Sequence, residues 1–431
     1  MEPKHKPRHN SSCTKLALAV VIGIGIAAGR GSAAQPDAPV AVAALVNEAM
    51  RASPEIAAAQ SHWQATARVP IQAATLPDPE VSLQHLSVGS PQPFSGYESS
   101  NFYYTGFGFS QEIPGFGKLS LRAEQAKKDA ETASENVLAA QRNVAEKVRD
   151  DAFNLFFLTR ARDLLEQTRT DLASIASATA AQYRTGSAQQ QDVFKAQLAM
   201  TAMLKELELN HDDIEAAEAN LKAMLGREQD SRDIEIADIA PTTLKLGETE
   251  IAAAADAASP DLKMAQTAVA RSENALEIAR HDYWPDFDVG YMYQKTGPGF
   301  ADYYMLSIGA KIPLYFWRKQ TPAVEQAALE KQSAQSALRA ARLATRSDLQ
   351  ASLVSIRTQT RIIAIYRAGL LPQSEATMNS ARAAYRTGKV DFQTMLSAVT
   401  AALELREGYL RAIADHEIAV AHVERIIGEN S

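Results

Sequence analysis

The chain carries a single cysteine, Cys13, in 431 residues, so no disulfide within the chain and no cysteine cage for a metal can staple it. Glycine and proline number only 21 and 18, which excludes a collagen-like polymer and argues against a many-turn β fold. Beyond the first thirty residues no run is long and apolar enough for a spanning helix. Motifs of catalysis are missing too: there is no Gly-rich phosphate loop, no His-Glu-x-x-His and no Gly-x-Ser-x-Gly, so the sequence does not point to an enzyme. Bases (44) are outnumbered by acids (51), the opposite of a nucleic-acid footprint.

What is present begins with an export signal. Lys4, Lys6, Arg8 and Lys15 precede an apolar run from Leu16 to Ala28, followed by Gly31-Ser32-Ala33-Ala34, the three parts of a secretory leader. The run is too short for a membrane anchor, and cleavage is expected after Ala33 or Ala34, making residues 1–34 a signal peptide. Cys13 stands before the run, so it is no lipid-attachment cysteine. Loss of five bases and Glu2 takes the formal net charge from −7 to −11.

The mature chain is built twice. Tyr183-Arg184-Thr185-Gly186 returns as Tyr385-Arg386-Thr387-Gly388, a shift of 202. Ser53-Pro54 answers to Ser259-Pro260, Pro77-Asp78 to Pro285-Asp286, Ile113-Pro114 to Ile312-Pro313, Glu124-Gln125-Ala126 to Glu325-Gln326-Ala327, and Leu225-Gly226 to Ile427-Gly428. Ordered matches at near-constant offset mark a duplication. The expected units are 35–226 and 259–431, joined by a linker over 227–258.

Within a unit the hydrophobic period changes. Residues 39–74 read as helix, interrupted at Ser53-Pro54. Val81 and Leu83, then Phe107 and Phe109, alternate with polar or small residues, predicting a β-hairpin over about 80–113 with a polar tip from Gly89 to Ser100. Phe287, Val289, Tyr291 and Tyr293, with Leu306, Ile308 and Ala310, predict its counterpart over about 285–313. Strands of this length, apolar on one face, suit a tilted crossing of a bilayer or an ordinary sheet packed on helices.

From Leu119 to Tyr183 there are 65 residues with neither Pro nor Gly, a helix of about 100 Å at 1.5 Å per residue. Ala123, Ala126, Ala130, Ala133, Val137, Ala140, Val144 and Val148 recur at three and four, the seam of closely packed long helices. Thr321–Tyr385 is the counterpart, with a kink expected at Pro372. A second helix then runs back to Gly226 or Gly428, so each Tyr-Arg-Thr-Gly becomes the tip of a helical hairpin (about 119–226 and 321–428). Four strands cannot close a barrel, and open edges in lipid leave backbone groups unpaired. If the strands cross a membrane, several chains share one barrel, and three chains give 12 strands, an allowed even number.

This order of parts resembles the TolC family of outer-membrane efflux channels, over essentially the whole mature chain. The residues that carry the likeness are the two Ile-Pro exits from the strands, the Glu-Gln-Ala helices and the two tips. Ile312-Pro313-Leu314-Tyr315-Phe316-Trp317-Arg318-Lys319-Gln320 is similar to the branch associated with metal-exporting pumps of the RND type. The resemblance implies a mainly α fold with a small membrane β-barrel: a homotrimer whose duplicated units form an α/β-barrel channel-tunnel in outer-membrane lipid. It also implies a periplasmic adaptor protein, an inner-membrane pump, passive conduction and no cofactor.

On that reading Tyr183, Arg184, Thr185, Gly186, Tyr385, Arg386, Thr387 and Gly388 face the adaptor or latch the aperture. The two Arg guanidinium groups suit directional hydrogen bonds, or serve only the helix dipole. Asp192 and Asp391 are candidates for an acidic aperture ring, although Thr394 stands where a second-copy acid is expected. His211-Asp212-Asp213 and His281-Asp282 read as solvated helix faces rather than metal ligands. The rival reading is a secreted coiled-coil scaffold. Aromatic residues gathered at the strands (Phe102, Tyr103, Tyr104, Tyr283, Trp284, Tyr291, Tyr293, Tyr303, Tyr304) favour a membrane belt over it.

Overall fold

A computed structural model describes residues 39–87, 103–244, 246–297 and 299–428. The expected leader, the polar loop tip at 89–100 and Phe102 lie outside these residues.

Each unit opens with helices split at a Ser-Pro pair. α1 (Val42–Ala52) gives way to α2 (Pro54–Thr66), and α6 (Glu248–Ala258) to α7 (Pro260–His281). Proline fits there because a first-turn N–H has no helical acceptor to lose. Ser259 Oγ also accepts the Leu262 N–H at 3.4 Å. The first unit breaks once more, at Ala67–Arg68 before Pro70, where α3 (Val69–Ala74) begins; α7 runs on unbroken for 22 residues.

The alternating segments become β1 (Glu80–Ser87), β2 (Tyr103–Ile113), β3 (Asp286–Thr296) and β4 (Tyr303–Lys311). They form one antiparallel sheet in the order β1-β2-β3-β4. The two hairpins are therefore sewn together by β2 and β3, across the duplication. The register aligns Leu83 with Phe107, Phe107 with Tyr293, and Tyr293 with Tyr304. Because side chains alternate, Val81, Leu83, Phe107, Phe109, Val289, Tyr291, Leu306 and Ile308 share one face. Ser82, Gln84, Gly106, Gly108, Gly290, Gln294, Ser307 and Gly309 share the other. Most of the apolar face is exposed, the reverse of a sheet packed on helices. β1 and β4 each pair on one side only.

The helical hairpins repeat with precision. α4 (Lys118–Arg184) has 67 residues, about 100 Å of helix, and α5 (Gln190–Met224) returns. In the second copy α8 (Gln320–Ile365), a π-helical turn (Tyr366–Leu370) and α9 (Leu371–Arg386) together cover the same span shifted by 202 at both ends, and α10 (Phe392–Ile427) returns. Of the predicted seam, Ala126, Ala133, Val137, Val144 and Val148 are buried, and Ala123, Ala130 and Ala140 are half-buried. The break at Pro372 is the π turn itself. Proline has no N–H to give the carbonyl four residues back, and just before it Leu371 N–H bonds Tyr366 O instead, five residues back. Pro322 costs nothing, since it stands in the first turn of α8.

The main core lies where α1, α4, α5 and α10 meet the connector after α5. Leu45, Leu155, Leu221 and Leu225 are fully or almost fully buried there, each worth about 1.5–3 kcal/mol relative to exposure. Val40 pairs with Ile236 in a parallel bridge, its N–H reaching Glu235 O at 2.8 Å. Arg227 clamps Glu48 with two hydrogen bonds of 2.7 Å. A second core joins α6, α8 and α10 through Ile251, Leu349, Leu353, Val420 and Val423. The connector that sequence leaves as a linker thus pairs with the N-terminal segment, and its last part, α6, stands to Ser259-Pro260 as α1 stands to Ser53-Pro54.

Candidate functional site

The two tips are the same piece of backbone chemistry. At the first, Thr185 ends α4, Gly186 N–H bonds Tyr183 O at 3.0 Å and Ser187 N–H bonds Gln182 O at 2.8 Å. At the second, Gly388 N–H bonds Tyr385 O at 3.0 Å and Lys389 N–H bonds Ala384 O at 2.9 Å. Both are Schellman turns, which satisfy the last helical carbonyls by forcing one residue into the left-handed region. Gly186 and Gly388 hold that place, at φ 75 and 71, where an L side chain costs about 1–2 kcal/mol. The repeated tetrapeptide is therefore a turn requirement first.

Beyond the backbone the tips differ. Tyr183 is 45% exposed, whereas Tyr385 is half-buried and its hydroxyl meets Thr179 Oγ1 of α4 at 2.9 Å. The Tyr385 ring also packs edge-on against Phe392, centroids 5.7 Å apart. Nearby, Arg382 on α9 donates to Asp171 on α4 at 2.6 Å. Asp171, Gln182, Arg382, Tyr385 and Arg386 line a cavity of about 140 Å³ between the hairpins. Arg184, Thr185, Arg386 and Thr387 are exposed. Sequence reasoning missed Thr179, Asp171, Arg382 and Phe392: no repeat marks them, because they tie one copy to the other.

The two acids work as helix starters. Asp391 caps α10, accepting the Thr394 N–H at 2.9 Å, and hydrogen bonds from the Thr394 side chain and then its backbone hold the carboxyl below the usual range. Asp192 closes a capping box, accepting the Gln189 N–H at 3.4 Å. Asp391 is exposed and Asp192 half-buried.

At the opposite end of the hairpins the aromatic residues cluster as expected. Tyr291, Tyr293 and Tyr304 pack together on the sheet, and Tyr104 meets Tyr303. Leu314, Tyr315, Phe316 and Trp317 follow β4 and are exposed. No described helix is long and apolar enough to cross a membrane.

A model of the outer membrane efflux protein family matches residues 45–227 and 252–429, one stretch in each copy. No curated protein sequence matches the chain. Among solved structures it is similar to CusC, with a TM-score of 0.78 at 15% identity over 90% of this chain and 92% of that one. It is similar to the CmeC outer membrane channel of Campylobacter jejuni, at 0.77 and 15% over 90% and 85%. It also resembles the outer membrane protein VceC of Vibrio cholerae, at 0.76 and 14% over 90% and 96%. At such identities the likeness speaks for the fold, a helical channel-tunnel with a small antiparallel sheet. With both copies of the duplication matched, the chain belongs to the outer membrane efflux protein family.

Proposed function

We propose that the protein is the outer-membrane duct of a tripartite efflux system, exported by its leader and assembled as a homotrimer with a large periplasmic portion. The carrying observation is the sheet: four strands with an exposed apolar face and two open edges. In lipid an unpaired edge is costly, and pairing β4 of one copy with β1 of the next closes a barrel of 12 strands from three chains. The helical hairpins then continue the barrel as a tunnel, and conduction through it is passive.

The tips engage a periplasmic adaptor, which links the duct to an inner-membrane pump of the RND type. Tyr183, Arg184 and Thr185 and, in the second copy, Arg386 and Thr387 supply the contact surface, on turns fixed by Gly186 and Gly388. Tyr385 belongs instead to the contact between hairpins that holds the aperture's shape. Asp192 and Asp391 lend negative charge to the rim. Heavy-metal cations are the proposed cargo, on the resemblance of the 312–320 stretch to metal-exporting relatives.

A strain lacking the gene tests this. Complementation with Arg386→Glu or Gly388→Pro is expected to leave the oligomer and its membrane insertion intact while abolishing export and metal tolerance. Wild-type tolerance in both variants would remove the tips from the mechanism. Recovery of the wild-type protein from the soluble periplasm, without a detergent-stable oligomer, would support the scaffold reading instead.

A further inference from the structure

Outside the tips, one cluster of side chains has the composition of a metal site. Glu146 and Asp150 lie one turn apart on α4, so their carboxylates share a face. His422 of α10 reaches the same point from the other copy of the repeat. One oxygen of each carboxylate and a ring nitrogen of His422 lie within 4.8 Å of one another. A divalent ion with bonds of about 2.0–2.2 Å spaces tetrahedral ligand atoms about 3.3–3.6 Å apart, so a small inward shift of these side chains would close them on one ion.

The surroundings favour a cation over a closed ion-pair network. Glu146 faces His422 Nδ1 through one oxygen and Arg425 Nε at 2.9 Å through the other. Asp150 Oδ1 is buried and has no hydrogen-bond partner. The neighbouring bases are spent elsewhere: Arg149 pairs with Glu424 at 2.9 Å and Lys147 with Glu55 at 3.6 Å. That leaves His422 and Arg425 as the bases paired with Glu146. Arg425 would hold Glu146 in place from behind, as outer partners of ligating carboxylates do. The His422 side chain is 44% exposed, which leaves a way in and room for water as a further ligand.

We propose that Glu146, Asp150 and His422 form a binding site for a borderline divalent transition-metal ion, with Zn²⁺ as its representative. One imidazole and two carboxylates suit such an ion better than Ca²⁺ or Mg²⁺, which take oxygen ligands alone. The ion pins the outgoing helix of the first copy to the return helix of the second. The proposal concerns a resident ion and stands whatever the channel conducts.

Untagged full-length protein, extracted in detergent and stripped with a chelator, is titrated with Zn²⁺ alone by calorimetry. Bound metal is counted by mass spectrometry, and Ca²⁺ serves as the comparison ion. One Zn²⁺ per chain, a higher thermal midpoint with Zn²⁺ and a loss of affinity on the order of tenfold or more in both Asp150→Asn and His422→Ala are expected. Asp150→Asn removes a partnerless buried charge, so it keeps the fold even if His422→Ala does not. No saturable Zn²⁺ binding, Zn²⁺ affinity unchanged by Asp150→Asn, or equal affinity for Ca²⁺ would each overturn the proposal.

Discussion

Glu407 of α10 lines a cavity of about 460 Å³ with Glu206, Asp213 and Glu404. Asn210, also on its wall, is buried and spends its amide N–H on Leu158 O at 3.1 Å. Burial first, then the charges of Glu206 and Glu404, raise the Glu407 carboxyl above its ordinary range. The folded chain therefore holds this proton more tightly than the unfolded chain. Stability from this group is full below the ordinary carboxylate range and falls as pH rises through the elevated value. Glu407→Gln is expected to raise the thermal midpoint at neutral pH, with the gain vanishing in acid; an equal gain at both pH values would show that charge is not the cause. The same scale limits what sequence discloses. Tyr183 and Tyr385 stand in identical tetrapeptides, yet one faces solvent and the other bonds Thr179. The turn was legible because backbone geometry demands glycine, but the cross-copy contact depends on residues two hundred positions away.

Among the elements, alternation disclosed the strands and uninterrupted Ala-rich sequence disclosed the long helices, since each is a local periodicity. The pairing of β2 with β3 was not legible, because nothing local to either strand names its partner. Pro372 foretold a break without its kind. The π turn at 366–370 puts Tyr366 edge-on to Tyr409, centroids 6.1 Å apart, and lets Arg367 Nε donate to the Tyr409 hydroxyl at 2.8 Å. A side chain at Gly408 would collide with the Tyr366 hydroxyl, so α10 is shaped to receive the bulge. If the missing proline N–H is what sustains the π turn, Pro372→Ala restores a donor and stabilises this segment by up to about 3 kcal/mol. Hydrogen exchange of amides 366–370 should then slow markedly. Unchanged exchange would assign the bulge to the packing of Tyr366 on Gly408.

For the whole molecule, duplication explains the division of labour. Two copies supply two helical hairpins whose tips end in the same turn, and two β-hairpins that merge into one sheet. The hairpin seams and the cores at α1 and α6 are satisfied within the chain, whereas the apolar sheet face and the edges of β1 and β4 are not. Those are the surfaces a lipid bilayer and neighbouring copies would cover. Because the only cysteine is Cys13, a cysteine scan along β1 and β4 needs at most its replacement as background. The most direct test is oxidation of such paired variants in intact outer membranes, read by the mass of the cross-linked product. Cross-linking that stops at a closed trimer, at a run of β1–β4 positions in one register, is the predicted result. No cross-link at any register, or a ladder that continues beyond three chains, would contradict the account.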